Sequence, residues 1–296
     1  MIFISQKYLS YYLFLCFIFI FFSCEIYNPS EEIPYYVHID KIDVTTNYSG
    51  QGSNSDKITD AWVYIDGDII GAFEMPVTFP ILKQGNHSIS IKAGIKINGI
   101  AATRGIYPFY KPIVQDINLI GNKVINLSDT SANYCTTTSY YDDITFAWKE
   151  DFEDPGMTLV KTDNSDTIIS RTSDDVFEGS YSGAIYLDAE RPFFEAKTSD
   201  AFVLPKGGSP VFLEFNYKTN NKINVGIFSN FSTQSIQHNI LIINTTDKWS
   251  KIYINLTDNI SDDYNAINYN IFFGAQKQDD VSEAIILLDN IKLVHY

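Results

Sequence analysis

Near the chain's C-terminus stands Ile285-Ile286-Leu287-Leu288-Asp289-Asn290-Ile291-Lys292-Leu293-Val294 (IILLDNIKLV), an aliphatic run interrupted by an Asp-Asn pair and by Lys292. Such a run reads as a strand. Working back from it, further strands are predicted at 267–274, 249–256, 223–228 and 211–218. Upstream of these stand Glu178-Gly179-Ser180-Tyr181-Ser182-Gly183 and the opening Phe146-Ala147-Trp148-Lys149-Glu150-Asp151-Phe152-Glu153-Asp154. Nothing between Tyr35 and Tyr296 holds a helical period over three turns. The expected class is all-β: a small N-terminal β-sandwich module followed by a C-terminal jelly-roll β-sandwich over 144–296.

The ordered series Asp151-Phe152-Glu153, Glu178 to Gly183, the Trp249 strand and Leu288 to Leu293 resembles the galactose-binding-like jelly rolls of carbohydrate-binding modules. The resemblance implies one structural Ca²⁺, held by Glu153, Glu178 (or Asp175) and Asp289. A hard cation of this kind takes roughly six to eight oxygens, and it would relieve repulsion among clustered carboxylates while tying the first strand to the last. The alternative is that these are solvated acids, with Asp289 making a local turn bond. A glycan site needs aromatic platforms with polar neighbours. Trp148, Tyr181, Phe193, Phe194, Tyr217 and Trp249 are the available rings. Phe193-Phe194 follows Arg191-Pro192 in an apparent loop and reads as the exposed pair, with Tyr181 as a third ligand-binding candidate. Trp249 heads an alternating strand and reads as core.

The first module is predicted over 35–128. Trp62 to Ile65 turns through Asp66-Gly67 into Asp68 to Phe73, a two-residue hairpin whose turn residues tolerate positive φ. His87 to Lys92 alternates, aiming Ile89 and Ile91 inward. Asn98-Gly99 is a second hairpin signal. The stretch from Val63 to Ile95 resembles the PEGA-type β-modules of bacterial envelope proteins, which implies a structural or adhesive role. Tyr107-Pro108-Phe109-Tyr110-Lys111-Pro112 cannot enter a central strand. Its rings Tyr107, Phe109 and Tyr110 either plug the end of the sandwich or form a partner-docking patch. The polar, Thr/Ser-rich segment 129–143 reads as a linker.

At the N-terminus, Lys7 precedes the apolar run Leu9 to Phe22. Fourteen residues fall short of the roughly 20 that span a bilayer and fit a secretory h-region. Phe21-Phe22-Ser23-Cys24 resembles a bacterial lipobox, which implies cleavage after residue 23 and acylation of Cys24. Residues 24–34, with Glu31-Glu32 and two prolines, form an extended tether. This N-terminus resembles outer-membrane lipoproteins of the Bacteroidetes group. It implies a lipid anchor in the outer membrane, leaning to the cell surface. Removing Cys16 with the signal and acylating Cys24 leaves Cys135 without an internal disulfide partner.

The composition narrows the function further. Twenty-one basic against thirty-six acidic residues give a net charge of −15, which argues against nucleic acid as a partner. The four histidines are scattered without zinc spacing, and Gly179 to Gly183 carries Tyr where a nucleophile elbow needs its nucleophile. The expectation is a non-enzymatic cell-envelope lipoprotein whose distal jelly roll binds a glycan or a protein partner. The alternative is an accessory subunit of an outer-membrane assembly, secretion or surface-attachment complex, docked on an outer-membrane protein.

Overall fold

The computed structural model describes residues 33–121 and 123–296. The stretch read as a signal peptide, Cys24 and most of the segment read as a tether lie outside the described residues. Among those described, no helix is long and apolar enough to cross a membrane.

Ten strands build the first module: β1 (Tyr35–Ile39), β2 (Asp43–Thr45), β3 (Asp60–Ile65), β4 (Asp68–Glu74), β5 (Val77–Ile81), β6 (Gly85–Lys96), β7 (Arg104–Ile106), β8 (Ile113–Leu119), β9 (Val124–Asn126) and β10 (Thr137–Ser139). One sheet runs β4-β3-β6-β7 with β8 also on β6; it faces a smaller sheet, β5-β1-β9. Both turns form as their residues dictate, Asp66-Gly67 closing a two-residue hairpin and Asn98-Gly99 turning within the longer connection from β6 to β7. Asp66 and Gly67 take φ of 54° and 90°, and Asn98 and Gly99 take 56° and 69°, the left-handed values a two-residue turn requires. Ile89 and Ile91 are fully buried, alongside Val37, Ile39 and Phe79.

The segment expected as a linker is folded. Its β10 pairs in parallel with β2, and Tyr140 bridges to Tyr110. Polar composition suggested a free tether, but Thr138 is buried, its hydroxyl donating to the Lys111 carbonyl at 2.6 Å. A buried threonine with a satisfied hydroxyl is compatible with a packed wall.

Eleven strands follow: β11 (Thr145–Glu150), β12 (Leu159–Lys161), β13 (Ser170–Thr172), β14 (Ser182–Leu187), β15 (Phe193–Thr198), β16 (Val211–Thr219), β17 (Ile223–Asn230), β18 (Ser235–Ile243), β19 (Thr246–Asn255), β20 (Asn268–Gln276) and β21 (Ala284–His295). They form a two-sheet sandwich. The six-stranded sheet runs β13-β14-β21-β16-β19 with β11 on β21, and the five-stranded sheet runs β12-β15-β20-β17-β18. Alternation along each strand sends Leu213, Phe215, Val225, Ile271, Phe273 and Ile286 into one core. The first strand of the sandwich is tied to the last by backbone pairing, with Lys149 opposite Lys292 and Glu150 opposite Ile291.

The two modules share a second core. Tyr107, Phe109, Tyr110 and Tyr140 from the first pack on Phe212, Tyr253 and Val294 from the outer face of the six-stranded sheet. Tyr107 meets Phe212 edge-on, ring centroids 5.3 Å apart, and Phe109 does the same at 5.8 Å. Backbone joins them too: the Asn98 N–H donates to the Tyr253 carbonyl at 2.8 Å. The docking patch expected at Tyr107, Phe109 and Tyr110 is therefore not a surface for an outside partner. All three rings are buried against the protein's own jelly roll. The prolines keep this segment out of a strand, which frees its rings to turn together onto the neighbouring sheet.

Candidate functional site

The outer face of the six-stranded sheet is divided in two, and the division creates the site. One half lies under the first module. There Glu214 of β16 is fully buried and receives the hydroxyls of Tyr107 and Tyr140, the latter at 2.9 Å. Lys251 of β19 pairs with it at 2.8 Å. Burial would push the Glu214 carboxyl up, but Lys251 and Lys292 beside it hold its pKa below the ordinary carboxylate value. Burial drives the phenols of Tyr107, Tyr110, Tyr140 and Tyr253 well above their usual range, so they stay protonated and can donate. Lys292, buried with its Nζ 2.5 Å from the Ser53 carbonyl, is held down to about 7 by desolvation, with Lys251 adding repulsion. A charge set this enclosed joins the modules and offers nothing to solvent.

The other half is open. A cleft of about 660 Å³ lies there, with an apolar floor of Ile285 and Leu287 from β21. Its polar rim carries Asp175, Lys218, Asn220, Thr245 and Asp247. Asp175 sits in the loop before β14 and accepts from Lys218 Nζ at 2.6 Å and from the Trp249 indole N–H at 2.8 Å. The Lys218 hydrogen bond, ahead of that from Trp249, holds the Asp175 carboxyl below its ordinary value, so the rim keeps an anion beside a cation. Trp249 is half-buried on this outer face, with Phe177 packed edge-on at 5.7 Å. It was expected in the core. Alternation along β19 aims Ile252 and Ile254 inward, whereas Trp249, Lys251 and Tyr253 share the opposite face.

The five-stranded sheet has an outer face of a different kind. Phe272 lies over Gly226, where an added Cβ would come within 2.5 Å of the ring and 2.0 Å of the His238 carbonyl. Phe228 leans on Phe272 at 5.1 Å. Above them Gln237 of β18 donates to Glu195 of β15 at 2.7 Å, reaching across the two strands between. This face is filled by its own side chains.

The rings expected to bind ligand are dispersed. Phe194 is buried in the sandwich core; it belongs to β15, not to a loop, and strand alternation turns it inward. Phe193 is half-buried at the start of that strand, opposite Gln276. Tyr181 stays at the surface beside β14, on the other sheet, with the Arg171 guanidinium 3.9 Å from its ring centre. Trp148 is buried with its N–H on Thr158 at 2.9 Å, and Tyr217 packs on the core against Phe215.

Nor do the expected calcium ligands assemble. Glu153 accepts the backbone N–H groups of Ser180 and Tyr181 at 2.8 and 2.9 Å. Glu178 takes the Ser53 hydroxyl and the Asn290 amide, the latter at 3.0 Å. Asp289 accepts from Ser182 at 2.7 Å and from the Asn290 N–H at 2.8 Å. Asp175 is turned away toward Lys218. Donor hydrogens reach one oxygen of Glu153, one of Glu178 and both of Asp289, the Glu178 N–H itself reaching Asp289 at 3.3 Å. Among the described residues no three His, Cys, Asp or Glu side chains converge as a metal set. Burial lifts Asp289 to about 6.

Lys218, Thr245, Asp247, Glu214, Lys251 and Lys292 did not stand out in the sequence. The available signal was a charged residue inside an otherwise apolar strand, as in Val211-Phe212-Leu213-Glu214-Phe215 and Ile291-Lys292-Leu293. A buried charge there needs a partner, and the partners come from distant strands.

No protein-family model matches this chain, and no curated protein matches it in sequence. Among solved structures it is similar to the CBM22-2 xylan-binding domain of Paenibacillus barcinonensis Xyn10C, at 14% identity and a TM-score of 0.39, covering 51% of this chain and 99% of that one. It is also similar to the family 11 carbohydrate-binding module of Clostridium thermocellum, solved with a β-1,3-1,4-mixed-linked tetrasaccharide. There the identity is 13% and the TM-score 0.35, over 49% of this chain and 92% of that one. Its own strands define the class: a two-module all-β protein ending in a β-sandwich.

Proposed function

We propose that this chain is a non-catalytic, lipid-anchored envelope protein whose jelly roll binds a glycan in the cleft beside Trp249. The observation that carries the reading is the cleft's composition. An apolar floor of Ile285 and Leu287 suits the C–H face of a sugar ring. The rim of Asp175, Lys218, Thr245 and Asp247 offers acceptors and donors for hydroxyls. The anchor rests on Leu9 to Phe22 and Cys24, which support export and acylation. The accessory-subunit reading loses its contact surface with the burial of Tyr107 to Tyr110.

Affinity electrophoresis against xylan, mixed-linkage β-glucan and galactan tests the glycan reading. The expected result is retardation by at least one polysaccharide, weakened about tenfold, or about 1.4 kcal/mol, in Asp175→Asn and in Trp249→Ala. Phe193→Ala, on the other sheet, keeps it. Retardation that survives both cleft variants, or none with any glycan, overturns the cleft as a glycan site.

A further inference from the structure

We infer that the end of the first module from which the chain emerges rests in the surface of a lipid bilayer, and that the module holds the jelly roll away from it. The inference goes beyond the glycan site but rests on the reading of Cys24 as a lipid anchor.

The three-stranded sheet β5-β1-β9 carries the observation. Its inner face is apolar core, so its outer face should be polar if it met only water. One outer row is polar: His38 of β1, with Thr78 and Asn126 opposite, and a 2.8 Å hydrogen bond between His38 and Thr78. The row two residues nearer the N-terminus is Tyr36, with Pro80 and Val124 opposite, and all three are exposed. Beyond that row three more apolar side chains stand out: Ile33 at 69%, Leu82 at 65% and Ile120 at 66% exposure. They come from three separate segments: the chain entering β1, the end of β5 and the loop before β9. The pairing of Tyr35 with Ile81 and of Tyr36 with Val124 brings these segments to one end. The sheet thus passes from polar to apolar over about 7 Å, one two-residue step, toward the exit of the chain.

The occupant follows from the tether. Eight residues lie between Cys24 and Ile33, so the nine Cα steps reach at most about 30 Å. An acylated Cys24 keeps this end within that distance of the bilayer, and Tyr36 is of the amphipathic type that favours the interface. The far end of the module is committed elsewhere. β6 begins beside the apolar end at Gly85, runs twelve residues, about 40 Å, and the chain just past it pairs Ile97 with Tyr253 of the jelly roll. The cleft therefore lies beyond a rigid spacer.

The test uses full-length protein carrying Cys135→Ser, with one bimane-labelled cysteine at Leu82→Cys, Ile120→Cys or, in the jelly roll, Ile242→Cys. Each is reconstituted into phosphatidylethanolamine and phosphatidylglycerol vesicles with brominated acyl chains. The expected result is loss of fluorescence at 82 and 120 and none at 242. A label at Val124→Cys should be quenched as well, and should lose that quenching in a Leu82→Ser, Ile120→Ser background while the unfolding temperature holds. Mass spectrometry of the N-terminal peptide tests the anchor separately. An acylated protein whose three labels are equally unquenched keeps the anchor and overturns the seated end. A Cys24 without acyl chains overturns both. Oxidation of the unlabelled Leu82→Cys protein by copper phenanthroline that yields a disulfide between two copies without lipid overturns it in favour of self-association.

Discussion

The two outer faces of the jelly roll show opposite uses of one architecture. On the five-stranded sheet, Phe272, Phe228 and the Glu195–Gln237 bridge close the surface over Gly226. On the six-stranded sheet the face is shared. Glu214, Lys251 and Lys292 are sealed beneath the first module, while Asp175, Lys218 and Ile285 stay accessible a few residues away. A filling aromatic and a cross-strand bridge finish the first face from within. The second depends on another module for half its cover, and where that cover stops a cleft is left. The covering module, rather than the strands themselves, thus sets the position of the cleft.

This contrast can be broken from its strongest point downward. Glu214→Ala strands Lys251 without its buried partner and should cost about 3–5 kcal/mol, read as a lowered urea midpoint. Gly226→Ala strikes the closed face instead. With backbone and ring in the way of a Cβ, it should cost about 1–3 kcal/mol in the same assay while leaving glycan retardation intact.

The sealed half should also respond to pH. Lys292 sits near 7 when folded, against 10.5 for the unfolded side chain. Between those values the unfolded chain holds a proton that the folded chain lacks, so stability rises with pH. The rise should be about 1 kcal/mol per unit from pH 7 until tyrosine ionisation in the unfolded chain reverses it near 10. Lys292→Met should flatten that slope.

Smallest of all, adding calcium or a chelator should leave the unfolding temperature unchanged, because protein donors already occupy Glu153, Glu178 and Asp289. A calcium-dependent rise of several degrees would show that these carboxylates rearrange around an ion.

Much of the fold was legible. Asp66-Gly67 and Asn98-Gly99 read as turns because few residue pairs tolerate two positive φ values in succession. The strands at 211–218 and 285–294 read from their apolar runs and form within a residue or two of their expected ends. The site was much less legible. Phe193-Phe194 was read as a loop pair, but in a strand adjacent residues face opposite ways, so one ring had to be core. Trp249 shows the complementary limit: alternation says that one face points inward without saying which, and a two-residue phase decides nothing until the neighbouring strands are placed.

By itself the sequence determined what depends on a residue and its near neighbours. That covers the hairpins, the strand periods, the acidic balance, and the apolar run Leu9 to Phe22 ahead of Cys24. The tertiary structure alone decided what depends on partners far along the chain. It set Tyr107 and Tyr140 on Glu214, 107 and 74 residues away, and placed Asp175 against a tryptophan 74 residues later. Local rules act through φ, ψ and side-chain period, and those are written in adjacent residues. Burial of a charge, or the opening of a cleft, is a property of surfaces that meet only once the sheets have packed.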